Sequence, residues 1–360
     1  MRGDEVFEWS DGLKLAGLPW HLDSRKPRPN CIVSHAHADH LPYGDRNTPP
    51  DPAKIHGRAI CTPITAAIGQ YRGGLAATID KHDYGEPFDL GGGGGGATGT
   101  FFPAGHVLGS AMVRVERDAG SLLYTGDYKL RPSRTVPTAQ PPQSDVLVME
   151  STYGSPFFRF PPAGEVEQQL LDLVADAFAR GDQPVVHGYS LGKSQEVTRI
   201  LTDAGFNVTM QGAVWHMANF YREFGVHLGS NRELRKYNKA DFSGDKQLDL
   251  LERGVLVTPP RDARNSVTGQ FGERVCRIMM SGWALSPGSQ FRYGVEHVLP
   301  LSDHADFDEL IETIELVRPK VVLSHHGFAD FPDHLHKLGL PDKLGFEVRL
   351  ARPPAQMELF

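Results

Sequence analysis

The chain has 360 residues, of which 40% are hydrophobic and 39 are glycine, a composition that is typical of globular proteins and excludes wholesale disorder. Its length exceeds what one compact core usually holds, so about two domains are expected. Lysine and arginine total 37 against 44 acidic residues, and this net charge of −7 excludes a surface coated in basic charge.

The ends of the chain and its cysteines favour a cytoplasmic protein without a membrane partner. No stretch approaches the roughly 18 apolar residues that a membrane span needs, and no apolar signal segment follows the first residues. The three cysteines, Cys31, Cys61 and Cys276, have neither an even count nor the spacing of a metal finger. We expect them to be buried free thiols in a reducing compartment.

Four apolar runs end abruptly in polar clusters, which is typical of buried strands that lead into loops. The runs cover residues 31–33, 122–124, 146–149 and 321–323. The loops after them carry histidines and acidic residues: His35 to His40, Asp127, Glu150, and His325 with His326. Six glycines at 91–96 are predicted to form a hairpin tip, because they have no side chains to pack and a high ordering entropy.

Helices are clearest at 166–177 and 307–317, where apolar residues recur with the helical period. Before the second helix, Asp306 and Glu309 have the positions of an N-cap and its capping-box partner, and Pro319 ends the helix. Between 161 and about 281, strand and helix signals alternate, which predicts an inserted α/β unit. We therefore expect three segments, 1–160, 161–285 and 286–360, of which the first and third form one core.

Residues 35–40 have the form H-x-H-x-D-H and directly follow the first predicted strand. Three imidazoles and a carboxylate this close together exceed what ordinary hydrogen bonding in a core satisfies, and they form the ligand set of zinc and related ions. Alternation would place His35 and His37 on one side, with Asp39 and His40 facing another point. One motif could therefore serve two ions.

Two further candidate ligands follow later strands, His106 and Asp127. In this order the motifs resemble those of the metallo-β-lactamase superfamily. The resemblance implies an α/β fold, the αββα sandwich, with two metal ions. It assigns the ligands to one ion (His35, His37 and His106), to the other (Asp39 and His40), and to both as a bridge (Asp127). A late histidine completes the second set in that family, and its His-Gly step matches His326.

Two motifs point to the β-CASP nucleases, a branch of that superfamily. Glu150, in Glu-Ser-Thr-Tyr-Gly, resembles the branch's acidic motif, and His304, in Ser-Asp-His-Ala-Asp, resembles its Ser-x-His-Ala-Asp motif. The inserted unit lies between them, where that branch carries its β-CASP cap domain. Within the branch the chain most resembles the bacterial ligase-associated DNA exonucleases, on residues 124–129, 150–154, 281–283 and 302–306.

This resemblance implies a DNA exonuclease that hydrolyses phosphodiester bonds with a hydroxide activated by two divalent ions, zinc or manganese, and that acts in DNA repair. The candidate catalytic residues are Asp39, Glu150 and His304. His304 would protonate the departing sugar oxygen, while Glu150 would orient it and keep it cationic. The implied partners are DNA, as single strands or duplex ends, together with a DNA ligase and a helicase.

Residues 188–194, G-Y-S-L-G-K-S, resemble a Walker motif, but three residues separate the glycines where four are needed, so no nucleotide cofactor is expected. Lys193, at the start of the next predicted helix, and Ser281 are candidate substrate-binding residues. Other basic residues could extend a groove: Lys129, Arg131, Arg134, Arg199, Arg232, Arg235, Lys236 and Lys239. A solvated helical face explains the last four equally well.

Three alternatives stay open. A β-CASP ribonuclease is favoured by His326, because eukaryotic DNA-specific members of the branch commonly lack that histidine. A small-molecule metallohydrolase, such as a thioesterase or lactonase, would use the same metal core, but the inserted unit and the motifs of Glu150 and His304 would be surplus to it. A non-catalytic scaffold of the same fold would not need seven candidate ligands.

Overall fold

A computed structural model of the chain describes residues 7–9, 12–42, 50–91, 96–230, 233–239, 249–260 and 274–351. The glycine-rich tip predicted at 91–96 falls mostly outside these residues. The chain divides into two compact units. The first contains residues 1–132, 136–159 and 304–360, and the second contains 133–135 and 160–303. The second unit is therefore inserted into the first along the chain.

The strands and helices are numbered in chain order. The strands are β1 (Phe7–Trp9), β2 (Leu13–Leu15), β3 (His21–Leu22), β4 (Asn30–Ile32), β5 (His56–Cys61), β6 (Ala76–Lys81), β7 (Pro87–Gly91), β8 (Ala97–Pro103), β9 (Ala111–Arg117), β10 (Gly120–Tyr124), β11 (Val146–Ser151), β12 (Gln183–His187), β13 (Val208–Met210), β14 (Leu234–Lys236), β15 (Val255–Thr258), β16 (Val275–Met280), β17 (His297–Leu299), β18 (Val321–Gly327) and β19 (Glu347–Leu350). The α-helices are α1 (Pro63–Tyr71), α2 (Ala163–Arg180), α3 (Lys193–Asp203), α4 (Gly212–Glu223), α5 (Leu250–Arg253), α6 (Ser289–Tyr293), α7 (Phe307–Val317), α8 (Phe331–Lys337) and α9 (Leu340–Leu344).

In the described part of the first unit, the strands form two sheets. One sheet has the order β1-β2-β3-β4-β5-β6, and the other has the order β19-β18-β11-β10-β9-β8-β7. In the second sheet β10, β11, β18 and β19 are parallel, and β8 runs in their direction because β8 and β10 are both antiparallel to β9. The carboxyl ends of β8, β10, β11 and β18 therefore lie at the same edge.

The strands of the second sheet are buried on both faces, which explains their continuous apolar runs. On β11, Val146 and Val148 pack into a core that also contains residues of the first sheet, such as Leu15. The intervening residues, Leu147 and Met149, pack into a second core with residues of α7 and α8. Helix α1 packs against β6 of the first sheet. Two facing sheets with helices outside them form the αββα sandwich, so this prediction is confirmed.

The residues at the two ends of α7 determine where this helix begins and ends. Asp306 accepts hydrogen bonds from the backbone of Asp308 and Glu309, and the side chain of Glu309 binds the backbone nitrogen of Asp306. This is the predicted capping box, and the helix spans the predicted residues. It ends at Val317, and the next residue, Arg318, adopts the left-handed conformation directly before Pro319.

The described strands of the second unit form one parallel sheet with the order β14-β13-β15-β12-β16-β17. Helices α2, α3 and α4 pack against its strands, which makes this unit an α/β domain. The structure carries the unit to residue 303, past the boundary expected at 285, because β17 hydrogen-bonds to β16.

None of the helices in the described residues combines the length and apolar character that a membrane span requires. The three cysteines are buried and free.

Candidate metal centre

The histidine-rich segment forms a loop after β4, and backbone contacts hold it in place. The nitrogen of Val33 donates to the carbonyl of Ile60 at 2.9 Å, and the carbonyl of Ser34 accepts from Ala111 at 2.9 Å. A guanidinium nitrogen of Arg72 donates to the carbonyl of Ala36 at 2.9 Å, between His35 and His37 in the chain. The ligands in this loop are thus placed by β5, β9 and the end of α1.

The loop that carries His106 follows β8 and is equally constrained. Gly105 has φ of +73°, and a side chain there would overlap the carbonyl of Lys129, so glycine is required on both counts. The hydroxyl of Ser110 accepts from the backbone nitrogen of His106 at 3.3 Å, and the hydroxyls of Thr62 and Thr65 both donate to the carbonyl of Gly109. His106 is therefore presented by a pinned turn.

Four side chains converge beyond these loops, and Asp127 lies at their centre. Ligand atoms of His35, His37, His106 and Asp127 all lie within 4.8 Å of one another. One oxygen of Asp127, Oδ2, lies 3.6 Å from Nε2 of His35 and 3.8 Å from Nε2 of His106. Nδ1 of His37 lies 3.0 Å from Nε2 of His106. This is the first ligand set implied by the resemblance.

A second group adjoins the first through the same carboxylate. Nε2 of His40 lies 3.1 Å from Oδ2 of Asp127 and 3.8 Å from Asp39, and Nε2 of His326 lies 4.0 Å from Asp39. His326 is the extra residue of a bulge in β18, opposite Glu150 and Ser151 of β11, and has φ of +54°. The bulge re-aims this histidine toward His40, at a ring distance of 5.4 Å.

The donor set fits divalent cations. Nε2 of His35 is buried and has no hydrogen-bond partner among the described residues, and Nε2 of His40 is buried beside the Asp127 carboxylate, at 3.1 Å, and Asp39, at 3.8 Å. Buried polar atoms without partners are costly, and imidazoles with a shared carboxylate are the donors that zinc and related ions take. The structure therefore brings together all seven ligands proposed from the sequence, in two groups that share Asp127.

Charge and burial shift the pKa values of these side chains. Burial, with the neighbouring His40, holds the pKa of His35 well below its usual value. For His40, burial alone would lower the pKa, but contact with Asp127 and Asp23 outweighs it and raises the pKa well above the usual value. Burial opposes ionisation of Asp127, yet His40 and His304 lower its pKa well below the ordinary range. Because a ligand must be deprotonated, we expect cation binding here to release a proton.

Asp23, which follows β3, is a residue of this site that sequence reasoning missed. It accepts a hydrogen bond from Nδ1 of His40 at 3.0 Å and bonds from the Ser34 hydroxyl and the Tyr124 hydroxyl at 2.6 and 2.9 Å. The Ser34 hydroxyl in turn lies 2.9 Å from Nδ1 of His35. Asp23 thus directs Nε2 of two histidines toward the cluster. The available signal was a carboxylate at the end of β3, which is parallel to β4.

His304 and Glu150 form a pair beside the cluster. Nδ1 of His304 lies 2.9 and 3.1 Å from the two oxygens of Glu150, and its ring lies 4.6 Å from that of His106. Glu150 also accepts from the backbone nitrogen of Tyr128 at 2.7 Å and from the Thr152 hydroxyl. The carboxylate is thus buried and fixed, while the side chain of His304 keeps 19% of its surface exposed.

The candidate substrate-binding residues are engaged within the protein. The ammonium of Lys193 is buried and lies 2.5 Å from Asp303, and the hydroxyl of Ser281 caps a short turn by accepting from Trp283 at 3.2 Å. The first backbone nitrogens of α3, from Ser194 onward, bond to backbone carbonyls, so this helix terminus is not a ready phosphate site. A substrate contact by Lys193 would require its ion pair to open.

Within the described residues, three of the eight candidate groove cations are likewise paired with acidic side chains. Arg131 binds Asp306 at 2.8 Å, and its backbone nitrogen donates to Glu309 at 2.6 Å. Arg134 and Arg199 form ion pairs within the second unit, and Lys129 is buried. Arg235, Lys236 and Lys239 are exposed, and Arg232 lies outside the described residues. The ion pairs of Arg131, Arg134 and Arg199 offset their charge, and a groove contact by any of them stays a prediction.

Comparison with known proteins finds relatives that match most of this chain. No protein-family model matches the chain. It is 33% identical over 338 residues to a probable DNA ligase of Opitutus terrae, a match that covers 92% of this chain and 30% of that protein. It is 29% identical to the transcription termination factor FttA of Pyrococcus abyssi, over 82% of this chain and 57% of that protein. It is 25% identical to endoribonuclease YSH1 of Kluyveromyces lactis, over 87% of this chain and 50% of that protein.

A solved structure has a similar fold. A protein of unknown function from Enterococcus faecalis superimposes with a TM-score of 0.57 at 14% identity, over 90% of this chain and 79% of that one. The chain thus spans between about a third and three fifths of the length of the three curated relatives named above. The αββα sandwich, the inserted α/β domain and the donor cluster agree with the resemblance of the sequence to the β-CASP branch of the metallo-β-lactamase superfamily.

Proposed function

We propose that the chain is a dinuclear metal-dependent phosphodiesterase that degrades DNA from its ends. The observation that carries this proposal is the presence of two donor groups around Asp127 with a partly exposed histidine, His304, held by the buried carboxylate of Glu150 beside them. A metal core alone would serve many hydrolytic reactions. A proton donor held beside it fits a reaction in which a poor leaving group, the sugar oxygen, must be protonated.

The distances between donor atoms divide the proposed ligands into two groups. One cation would be held by His35, His37 and His106 and a second by Asp39, His40 and His326, with Asp127 shared between them. When bound there, divalent cations supply positive charge for a phosphodiester and lower the pKa of a water molecule. Zinc is the first candidate because imidazole and carboxylate suit it, and manganese is the second.

We assign the leaving-group proton to Nε2 of His304. Glu150 binds Nδ1, so the imidazole is oriented and its cationic form is stabilised by a buried negative charge. Glu150 is itself fixed by the nitrogen of Tyr128, which follows Asp127 in the chain. The nitrogen of Ala305 donates to the carbonyl of Tyr128 at 2.7 Å, which ties the His304 segment to the same loop. These bonds would hold the acid at a set distance from the bridging carboxylate.

The choice of DNA is supported by the relative named a probable DNA ligase, which matches 92% of this chain. A protein in which this region is joined to a ligase would produce and seal ends in one place. We therefore propose DNA ends as the substrate, a DNA ligase as a functional partner, and repair as the setting. A helicase partner is part of the same proposal and follows from the resemblance to ligase-associated exonucleases alone.

RNA is the second candidate substrate. Relatives named endoribonuclease YSH1 and RNase J-like protein match 87% and 29% of the chain, and His326 is present in the second donor group. The donor cluster and the His304 pair would act on the phosphodiester and its leaving oxygen, which DNA and RNA share. The alternative of a small-molecule hydrolase leaves the His304 pair and the inserted domain without a role.

The test is a digest of matched strands labelled at the 5′ end, one DNA and one RNA, as single strands and as duplexes. The protein is stripped with a chelator and reloaded with zinc or manganese. We expect DNA to shorten from an end only after a metal is restored. The variant His35→Ala should abolish cleavage, and His336→Ala, which removes an exposed histidine of α8, should cleave normally. RNA cleavage without DNA cleavage would refute DNA as the substrate, and cleavage of neither would refute the nuclease.

A further inference from the structure

Phe157 is a large apolar side chain that the first unit leaves exposed. It keeps 54% of its surface in solvent, whereas its neighbour Phe158 keeps 4%. The two rings meet edge to face, with centroids 5.2 Å apart and planes at 90°. Phe158 is thus an anchor in the fold, and Phe157 stands on it with more than half of its surface available to a ligand.

The backbone under Phe157 is fixed before any ligand arrives. The nitrogen of Phe158 donates to the carbonyl of Ser155 at 2.9 Å, and the carbonyl of Phe158 accepts from Phe307 at the start of α7 at 3.0 Å. Gly154 permits close packing below, since a side chain there would lie 3.0 Å from Phe331. A ring on such a support loses little further entropy on binding, which favours recognition by stacking.

Aromatic contacts connect Phe157 to the candidate catalytic histidine. The ring of Tyr153 lies 6.1 Å from that of His304 and 5.1 Å from that of Phe158, on which Phe157 rests. Each of these centroid distances is typical of two aromatic rings in contact. These three contacts set an upper limit of roughly 16 Å between the rings of Phe157 and His304, which about five nucleotides of a stacked strand would span at about 3.4 Å each.

The charges around this turn favour a base over a phosphate as the ligand of Phe157. Arg159 is the nearest cation in the chain, and its guanidinium binds Asp308 at 2.8 Å. Across the same helix start, Arg131 binds Asp306 at 2.8 Å. Because both arginines bind aspartates, the exposed ring of Phe157 is the main feature that this turn offers to a nucleic-acid strand. Stacking requires an unpaired base and tolerates any sequence.

We propose that Phe157 is a stacking platform for a base of an unpaired nucleic-acid strand, and that it gives the site a preference for single strands over blunt duplexes. This proposal rests on the proposed nuclease function. It adds a binding residue that neither the metal motifs nor the His304 pair contains.

The test measures the affinity of metal-loaded protein for labelled strands by fluorescence anisotropy. The strands carry phosphorothioate links, which resist cleavage, and are offered single-stranded and as blunt duplexes. We expect Phe157→Ala to weaken single-strand binding by about 5- to 100-fold, the range of one lost base stack. Phe157→Trp should restore binding. The matched control is Phe291→Ala, which removes a phenylalanine of α6 that is 91% exposed in the second unit, and we expect it to bind within about twofold of wild type.

Three results of these measurements would overturn the proposal that Phe157 is a stacking platform. Single-strand affinity of Phe157→Ala within twofold of wild type would overturn the platform while leaving the nuclease proposal intact. Equal weakening for single strands and duplexes would also overturn it, because a blunt duplex offers no unpaired base. If wild-type protein binds neither DNA nor RNA strands, the platform and the proposed function fall together. Equal thermal midpoints for wild type and variants exclude misfolding as the cause of a loss.

Discussion

Asp23 connects the outer nitrogens of two histidines in the donor cluster, so its replacement tests how the cluster is held. Its Oδ2 accepts bonds from the hydroxyls of Ser34 and Tyr124 and from Nδ1 of His40, while its Oδ1 accepts from the backbone nitrogen of Ser34. In Asp23→Asn, an NH₂ group takes the place of one oxygen. If Oδ1 keeps the backbone bond, the NH₂ group meets three groups that were donors. His40 must then accept at Nδ1, which puts its proton on Nε2, facing Asp127.

The expected magnitude follows from these contacts. Loss of an orienting partner beyond the ligands costs about 10- to 100-fold in metal affinity. Each buried donor without an acceptor costs about 1–3 kcal/mol, so we expect the metal-free variant to lose about 2–4 kcal/mol of unfolding free energy. The control Asp80→Asn breaks a more exposed pair with Arg58 and should cost under about 1 kcal/mol.

Metal affinity is measured by competition with a chromogenic chelator, and stability by urea unfolding of the stripped protein. Asp23→Asn that binds two zinc ions with wild-type affinity would refute the claim that Asp23 sets the histidine tautomers. Loss of stability with unchanged metal affinity would refute it equally, since the residue would then serve the fold alone.

Three further predictions concern the surrounding residues. His304→Ala should lower kcat by about 10²- to 10⁴-fold while the metal content, measured by mass spectrometry of the metals, stays at the wild-type value; unchanged kcat would contradict a proton-donor role. Arg131→Met should cost about 2–3 kcal/mol in urea unfolding, because it leaves buried carboxylates at the start of α7 uncompensated, whereas Arg159→Met, at an exposed pair, should cost under about 1 kcal/mol; equal losses would contradict this difference. Gly327→Ala should lose about 1–3 kcal/mol more than Gly339→Ala, because a side chain at 327 would overlap the β11 backbone while open space surrounds 339; equal urea midpoints would show that the bulge can relax.

Elements set by local sequence were predictable. Helix α7 has the predicted bounds because its cap, its apolar period and the proline after it lie within a few residues of one another. Strands β4, β10, β11 and β18 also overlap the four predicted apolar runs, since buried parallel strands appear as short apolar runs. The candidate ligands could be named because each follows the end of such a run, where parallel strands meet at one edge of a sheet.

Features that depend on distant partners could not be predicted. Asp23 stands in an ordinary Leu-Asp-Ser sequence, and its role comes from Tyr124 and His40, which the fold brings to it. Lys193 has the sequence context of a phosphate ligand, but Asp303, 110 residues away, takes its charge. The alternating strand and helix signals extend only to about 281, whereas β17 lies beyond them and belongs to the second unit through its pairing with β16.

We propose that one cluster of histidines and carboxylates in the first unit holds two catalytic cations. The most direct measurement is anomalous diffraction at the zinc edge from crystals of the zinc-loaded protein. We expect two peaks, one among His35, His37 and His106 and one among Asp39, His40 and His326, with Asp127 contacting both. A single peak, or zinc bound outside these residues, would contradict it.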